Sequence, residues 1–228
     1  MKEATIIILI LLFCIQIIYA DEDTVKKTDW NDIRKSIIDN KLSVEELTKT
    51  LEKANKDGDF ENIYALNDVI LKNDNYKDNA KILNELGTSA FNTQHISDAF
   101  LWLNRALEID PLYPEANANL GVIYRTKGKY EDALKYFQTA LNGMPSNSVI
   151  NYDIAICYER LGKSDEAEKN YKKAIELDNK FAVAYKSLAV LLLSQKRNNE
   201  ALNILRIYSG LVGGKDEDAK TLIKQLSK

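Results

Sequence analysis

The chain has 228 residues, of which 45% are hydrophobic and 29% are charged, and its formal net charge is −3. A chain of this composition buries a core, which excludes the disordered and the disulfide-stapled classes of protein. It has no basic excess with which to neutralise phosphates, so nucleic acid is not an expected partner.

An apolar segment opens the chain. Residues 4–20 are almost unbroken Ile, Leu and Phe, and acidic residues follow from Asp21 onward. Such a segment indicates an export signal, with cleavage expected after the small residue Ala20. Its length is also near the minimum that spans a hydrocarbon core of about 30 Å, so a retained membrane anchor stays open. Lipid attachment at Cys14 is a third alternative, which the bulky Phe13 before it disfavours.

Export sets the expected location. A chain with such a leader is expected in a periplasm, in the lumen of the secretory pathway or outside the cell. Contact with a membrane is expected only through residues 4–20, if they are not cleaved.

Residues 21–79 contain helical patterns without a clear repeat signature. Ser43 followed by Glu46 predicts a capping box at the start of a helix. The string that begins at Ile70 resembles the string that begins at Ala106. We therefore predict N-terminal helices here, with a degenerate repeat at about residues 43–79.

From residue 80 onward, the chain repeats every 34 residues. A large aliphatic residue followed by a small one recurs at this offset, in the pairs Leu86–Gly87, Leu120–Gly121, Ile154–Ala155 and Leu188–Ala189. Later in each period an alanine recurs at Ala99, Ala133, Ala167 and Ala201, and a large residue at Leu103, Phe137, Tyr171 and Leu205. These positions are spaced by helical steps of three and four. They predict helices that approach closely at the small residues.

Breakers divide each period into two halves. They are Gly128 and Gly162, with polar Gln94 and Lys196 at the equivalent places. Pro111 and Pro145 fall where a second helix ends, and Pro114 falls where a first-turn proline loses no hydrogen bond. Each period is therefore predicted to be two short antiparallel helices.

This pattern resembles the tetratricopeptide repeat, most closely in residues 114–147. There the family's signature types stand at Leu120, Gly121, Tyr124, Gly128, Tyr130, Ala133, Phe137, Ala140 and Pro145. The resemblance implies an all-α fold, a right-handed superhelical solenoid of antiparallel helix pairs. It implies four repeats at residues 80–113, 114–147, 148–181 and 182–215. An amphipathic segment at residues 216–228 is predicted to be a C-terminal capping helix.

Residue types that carry chemistry are scarce. His95 is the only histidine in the sequence and stands in a predicted exposed turn, without partners for a zinc site. Cys157 has aliphatic neighbours and is predicted to be a small buried hydrophobic residue. The sequence contains no phosphate-binding glycine loop, nucleophile elbow or calcium loop. We therefore predict no enzyme, no cofactor and no metal; an enzyme with its site in residues 21–79 is a minor alternative.

The resemblance implies a concave groove, formed by the first helices of the repeats, that binds a protein or peptide segment. The positions that carry over are Asn84, Thr88, Phe91, Ala118, Val122, Arg125, Tyr152, Ile156, Glu159, Lys186, Val190 and Leu193. Val122, Ile156 and Val190 share one repeat position, and Val149 and Val183 flank them. A continuous apolar strip usually marks a partner site. The alternative is that neighbouring or N-terminal helices cover these side chains.

One use of the family is disfavoured. Cytosolic chaperone adaptors of this family clamp a C-terminal carboxylate with Lys, Asn and Arg side chains, and only Asn119 fits that pattern here. The predicted function is an exported scaffold or adaptor that binds proteins through its groove in the assembly of a larger complex. The alternative is a membrane-anchored structural subunit of such a complex.

Overall fold

The computed structural model describes residues 28–227. The predicted export signal or anchor at residues 4–20 lies outside the described residues. The chain falls into two compact units that divide between Lys41 and Leu42. Every regular element within residues 28–227 is a helix, as predicted, and none of these helices is long and apolar enough to cross a bilayer.

The first unit contributes one described helix, α1, at Trp30–Ile38. Asp29 caps its N-terminus, because its carboxylate accepts hydrogen bonds from the backbone N–H groups of Asn31 at 3.0 Å and Asp32 at 3.3 Å. Acceptors at this position satisfy amides that have no partner inside the helix.

The second unit begins with three helices, α2 at Val44–Asp57, α3 at Phe60–Ala65 and α4 at Asn67–Ile70. The predicted capping box is confirmed, since Ser43 and Glu46 bond to each other's backbone amides. In place of one second helix in the predicted degenerate repeat, the structure has α3 and α4. The buried Tyr76 joins the end of this segment to its beginning, because its hydroxyl donates a hydrogen bond to the carbonyl of Leu42 at 2.6 Å.

Four helix pairs follow, and then a last helix. The pairs are α5 at Ala80–Asn92 with α6 at Ile96–Ile109, α7 at Pro114–Thr126 with α8 at Tyr130–Gly143, α9 at Ser148–Arg160 with α10 at Ser164–Leu177, and α11 at Ala182–Ser194 with α12 at Asn198–Leu211. The first helices begin 34 residues apart. The last helix, α13 at Glu217–Leu226, begins close to where the next first helix would start.

Small residues allow the two helices of a pair to touch. A Cβ on Gly121 would lie 2.6 Å from Cε1 of Phe137, and a Cβ on Gly87 would lie 2.6 Å from Cγ of Leu103. Ala155 occupies the same position in the third pair and is fully buried. The helices of the first two pairs therefore approach more closely than a methyl group allows.

The turn inside each pair uses one residue in the left-handed region. The φ angles are +66° at Gln94, +72° at Gly128, +73° at Gly162 and +60° at Lys196. Glycine adopts this region freely, whereas other residues adopt it at a cost. The four breakers found in the sequence thus occupy one conformation.

Replacing Gly128 by alanine should lower the free energy of unfolding by about 1 kcal/mol. No atom of residues 28–227 lies within 4 Å of the added Cβ, so the loss reflects backbone conformation alone. Gly210→Ala is the matched control, because Gly210 is helical and its added Cβ also meets nothing within 4 Å. The change Gly210→Ala should raise the free energy of unfolding by about 0.5–1 kcal/mol. Urea unfolding measures both, and equal signs would contradict the conformational argument.

Candidate functional site

The twelve predicted groove residues lie on the first helices of the four pairs, three on each of α5, α7, α9 and α11. Most are half-buried, Asn84 is buried, and Lys186 and Val190 are exposed. We call the surface that these residues line the first-helix face. Polar side chains of this face contact polar groups on neighbouring helices, whereas some of its aliphatic side chains are exposed to solvent.

A column of polar residues lies beneath the first-helix face and recurs every 34 residues. Its members, called the polar column below, are Glu85, Asn119, Asp153 and Ser187. Each contacts the preceding first helix. The carboxylate of Glu85 accepts from Nδ2 of Asn55 on α2 at 2.6 Å. Nδ2 of Asn119 donates to Oδ1 of Asn84 at 2.9 Å and to Oγ1 of Thr88 at 3.0 Å.

The later members of the polar column continue the series. Oδ1 of Asp153 lies 3.2 Å from Nε of Arg125 on α7, and Oγ of Ser187 lies 3.3 Å from the hydroxyl of Tyr152 on α9. Nε of Arg125 and the hydroxyl of Tyr152, both predicted to face a partner, therefore contact polar atoms of the next first helix. Sequence reasoning missed the polar column, although polar residues that recur at the repeat offset were its visible signal.

Asp153 stands in an unfavourable environment for its charge. It is 6% exposed, and burial raises the pKa of its carboxyl to about 6, although Arg125 acts in the opposite direction. Nε of Arg125 is buried and has no hydrogen-bond partner within residues 28–227. Cys157 is buried beside this pair, and burial raises the pKa of its thiol to about 12. A thiol held protonated in this way is a poor nucleophile.

Two more predicted groove residues are tied to the protein itself. The ammonium of Lys186 lies 2.8 Å from Oδ2 of Asp216, which caps α13 and also accepts from the hydroxyl of Tyr208. Glu159 accepts a hydrogen bond from the hydroxyl of Tyr171 at 2.7 Å. The C-terminal helix is thus bonded to the last first helix, and these charges are not free.

Aliphatic side chains are exposed on the first helices α9 and α11, where Lys186 is exposed as well. Val149, Val183 and Val190 are each 52% exposed, and Val122 and Ile156 are half-buried against the helix-pair cores. We call these five residues the apolar strip. Helical spacing places Val149 and Ile156 on one face of α9, and Val183 and Val190 on one face of α11.

An open pocket of about 400 Å³ lies between α2, α5 and the start of α7. Its lining residues, called the acidic pocket below, are Glu52, Asn55, Lys56, Glu85, Thr88, Tyr113 and Glu115. Burial raises the pKa of the Glu85 carboxyl, and the charges of Glu52 and Glu115 raise it further. Burial and the same carboxylates also raise the pKa of the Tyr113 hydroxyl. Oδ1 of Asn55 is buried and accepts no hydrogen bond within residues 28–227.

His95 is exposed, as its predicted turn position implies. Its Nδ1 lies 2.9 Å from Oγ1 of Thr93, and its ring stacks on Tyr64 at 3.9 Å between centroids. Between residues 28 and 227, no group of three or more His, Cys, Asp or Glu side chains is arranged to hold a metal ion.

Solved structures share this fold. A crystal structure of MamA is 22% identical with a TM-score of 0.61, over 75% of this chain and 96% of that chain. MamA from Desulfovibrio magneticus RS-1, from residue 41 to its end, is 14% identical with a TM-score of 0.65, over 83% and 98%. PilF of Pseudomonas aeruginosa is 16% identical with a TM-score of 0.68, over 88% and 85%. These likenesses confirm the predicted all-α solenoid fold.

The sequence comparison agrees with the fold. Residues 112–180 match the family model described as the tetratricopeptide repeat. No curated protein matches the chain. The matched residues cover α7 to α10, and the helix pairs on either side keep the same 34-residue spacing. Residues 112–180 therefore consist of tetratricopeptide repeats, within a longer helical solenoid of the same 34-residue spacing.

Proposed function

We propose that the chain is an exported, non-catalytic adaptor that binds a segment of another protein along its first-helix face and thereby serves the assembly of a larger complex. Repeats of this family bind proteins or peptides, and a solenoid offers them an extended surface. Export is inferred from residues 4–20, whose apolar run ends at the acidic residues from Asp21.

The exposure of the apolar strip carries this proposal. Three valines of the strip keep about half of their surface in solvent, although each belongs to a helix whose opposite side is packed in the core. Aliphatic residues exposed at recurring positions of successive repeats indicate a surface that a partner covers. The partner segment gains the free energy of burying this strip, about 25 cal/mol per Å² of apolar surface.

The polar column supports a role as a preformed site. It bonds each first helix to the next through side chains under the first-helix face. Such contacts hold neighbouring helices in one register, so a partner does not have to order the surface when it binds. A rigid solenoid face of this kind suits an adaptor.

The test is partner capture with a matched control. The first variant combines Val149→Glu with Val190→Glu, because both residues are exposed and their replacement leaves the core intact. The control combines Leu101→Glu with Ile207→Glu, which are 61% and 48% exposed on the second helices α6 and α12. Tagged full-length proteins are crosslinked in the native cells and purified. We expect a partner that the first variant loses and the control keeps, and equal capture by both would contradict the proposal.

The same purification tests export. Mass spectrometry of the N-terminus distinguishes a chain that begins at Asp21 from a chain that keeps residues 4–20. An N-terminus at Asp21 supports a released, exported adaptor. A retained segment supports the alternative of a membrane-anchored structural subunit.

A further inference from the structure

We propose that the acidic pocket receives a cationic side chain, lysine or arginine, from the same segment whose aliphatic side chains cover the apolar strip. This inference rests on the proposed function and adds the chemistry of the partner. The bound segment would be extended, with a basic residue at one end and aliphatic residues along the rest.

The charges on the first-helix face favour a cationic partner. Its two basic residues are already neutralised within the protein, since Arg125 pairs with Asp153 and Lys186 pairs with Asp216. In the described residues, Glu52, Glu85 and Glu115 take part in no ion pair. The face therefore offers unpaired negative charge at its α2 end and little unpaired positive charge.

The interior of the acidic pocket is rich in acceptors. Glu85 is 8% exposed, and among residues 28–227 its carboxylate takes hydrogen bonds only from the amides of Asn55 and Asn84, which are uncharged donors. An ammonium or guanidinium group in the pocket supplies the missing positive charge and donates hydrogen bonds to the lining carboxylates.

Lys56 does not supply them from within the chain. It is the one basic residue of the acidic pocket, and it is exposed and forms no ion pair across residues 28–227. The carboxylates are also not grouped as metal ligands in that range. A pocket of about 400 Å³ with spread carboxylates fits the end of a long cationic side chain.

The acidic pocket and the apolar strip belong to the same repeat positions. Thr88 of the pocket precedes Val122, Ile156 and Val190 by successive offsets of 34 residues, and Glu115 precedes Val149 and Val183 in the same way. Asn119 bonds α7 to Thr88, so the two surfaces lie on adjoining helices.

The spacing of the helices sets the spacing of the ligand residues. Neighbouring helices lie about 10 Å apart, which about three residues of extended chain span. The basic residue of the segment is therefore expected about three positions from the first aliphatic residue that contacts the strip.

The experiment selects ligands from random peptides of about twelve residues, long enough at about 3.3 Å per residue to cross four helices. The purified full-length chain is the target. We expect peptides enriched in lysine or arginine, with aliphatic residues beginning about three positions away. A selected basic peptide should bind the Glu52→Gln, Glu115→Gln variant about tenfold more weakly, because its cationic side chain then loses its attraction to two of the three carboxylates of the pocket.

Two controls decide what a negative result means. Glu131→Gln with Glu166→Gln removes two exposed carboxylates from the first turns of α8 and α10 and should leave the affinity within about twofold. Circular dichroism confirms helicity in every variant. Peptides that lose binding in Val149→Glu, Val190→Glu but show no basic enrichment would overturn this inference and leave the proposed function standing. If no selected peptide depends on the valines, the proposed function fails and the inference fails with it.

Discussion

Replacing Gly121 by alanine should lower the free energy of unfolding by about 1–3 kcal/mol, the usual cost of an added carbon in a full core. The new Cβ would lie 2.6, 2.7 and 3.0 Å from three ring atoms of Phe137. That ring is fully buried in the core. Urea unfolding followed by circular dichroism measures the loss.

A double-mutant cycle identifies the cause. Phe137→Leu alone should cost about 1–2 kcal/mol, because it leaves unfilled volume in the core. In the double variant Gly121→Ala, Phe137→Leu, the total loss should be smaller than the sum of the two single losses, since the methyl group then occupies space that the ring has left. Strict additivity would show that Gly121 is required for some reason other than the contact with Phe137.

Replacing Asp153 by asparagine should remove a loss of about 3 kcal/mol in the free energy of unfolding that the parent protein shows as pH rises from about 4 to above 6. The pKa of this carboxyl rises from an ordinary 3.8 to about 6 in the folded protein. Between these values the folded state holds more protons than the unfolded state, so ionisation lowers the free energy of unfolding as pH rises from about 4 to above 6. The rise of about two pKa units corresponds to about 3 kcal/mol at 1.36 kcal/mol per unit.

The test compares the two proteins at pH 4 and pH 7 by urea unfolding. The stability of Asp153→Asn relative to the parent protein should rise between these values, whatever the fixed effect of the substitution on Arg125. Asp216→Asn is the contrasting variant, because Lys186 and the capped amide hold the pKa of the Asp216 carboxyl below its ordinary value. The stability difference between Asp216→Asn and the parent protein therefore changes with pH only below about pH 4. A pH-independent difference for Asp153→Asn would contradict the burial argument.

The result for Asp153 also affects how the first-helix face is probed. Removing Arg125 would leave the Asp153 carboxylate buried without its partner, which typically costs about 3–5 kcal/mol. A loss of binding in such a variant would reflect a damaged fold. The exposed valines at 149 and 190 avoid this problem, because their side chains already contact solvent.

The sequence alone determined the features that depend on neighbouring residues. The 34-residue period predicted the helix pairs, because helical steps of three and four place Leu120 and Gly121 against their partners. The breakers at Gln94, Gly128, Gly162 and Lys196 marked the turns, since each turn needs one residue with positive φ. The capping box was predicted because Glu46 follows Ser43 by three positions. These signals are local, so a single chain displays them.

The tertiary structure decided which groove residues are free and which are engaged. The contacts of Glu85 with Asn55, of Asp153 with Arg125 and of Lys186 with Asp216 join helices about 30 residues apart. They depend on the rise and rotation from one repeat to the next, which helical periodicity does not specify. The acidic pocket gathers residues from α2, α5 and the start of α7 for the same reason. Burial then sets the pKa of Asp153, because the dielectric around a side chain is a property of the packed helices and not of its neighbours in sequence.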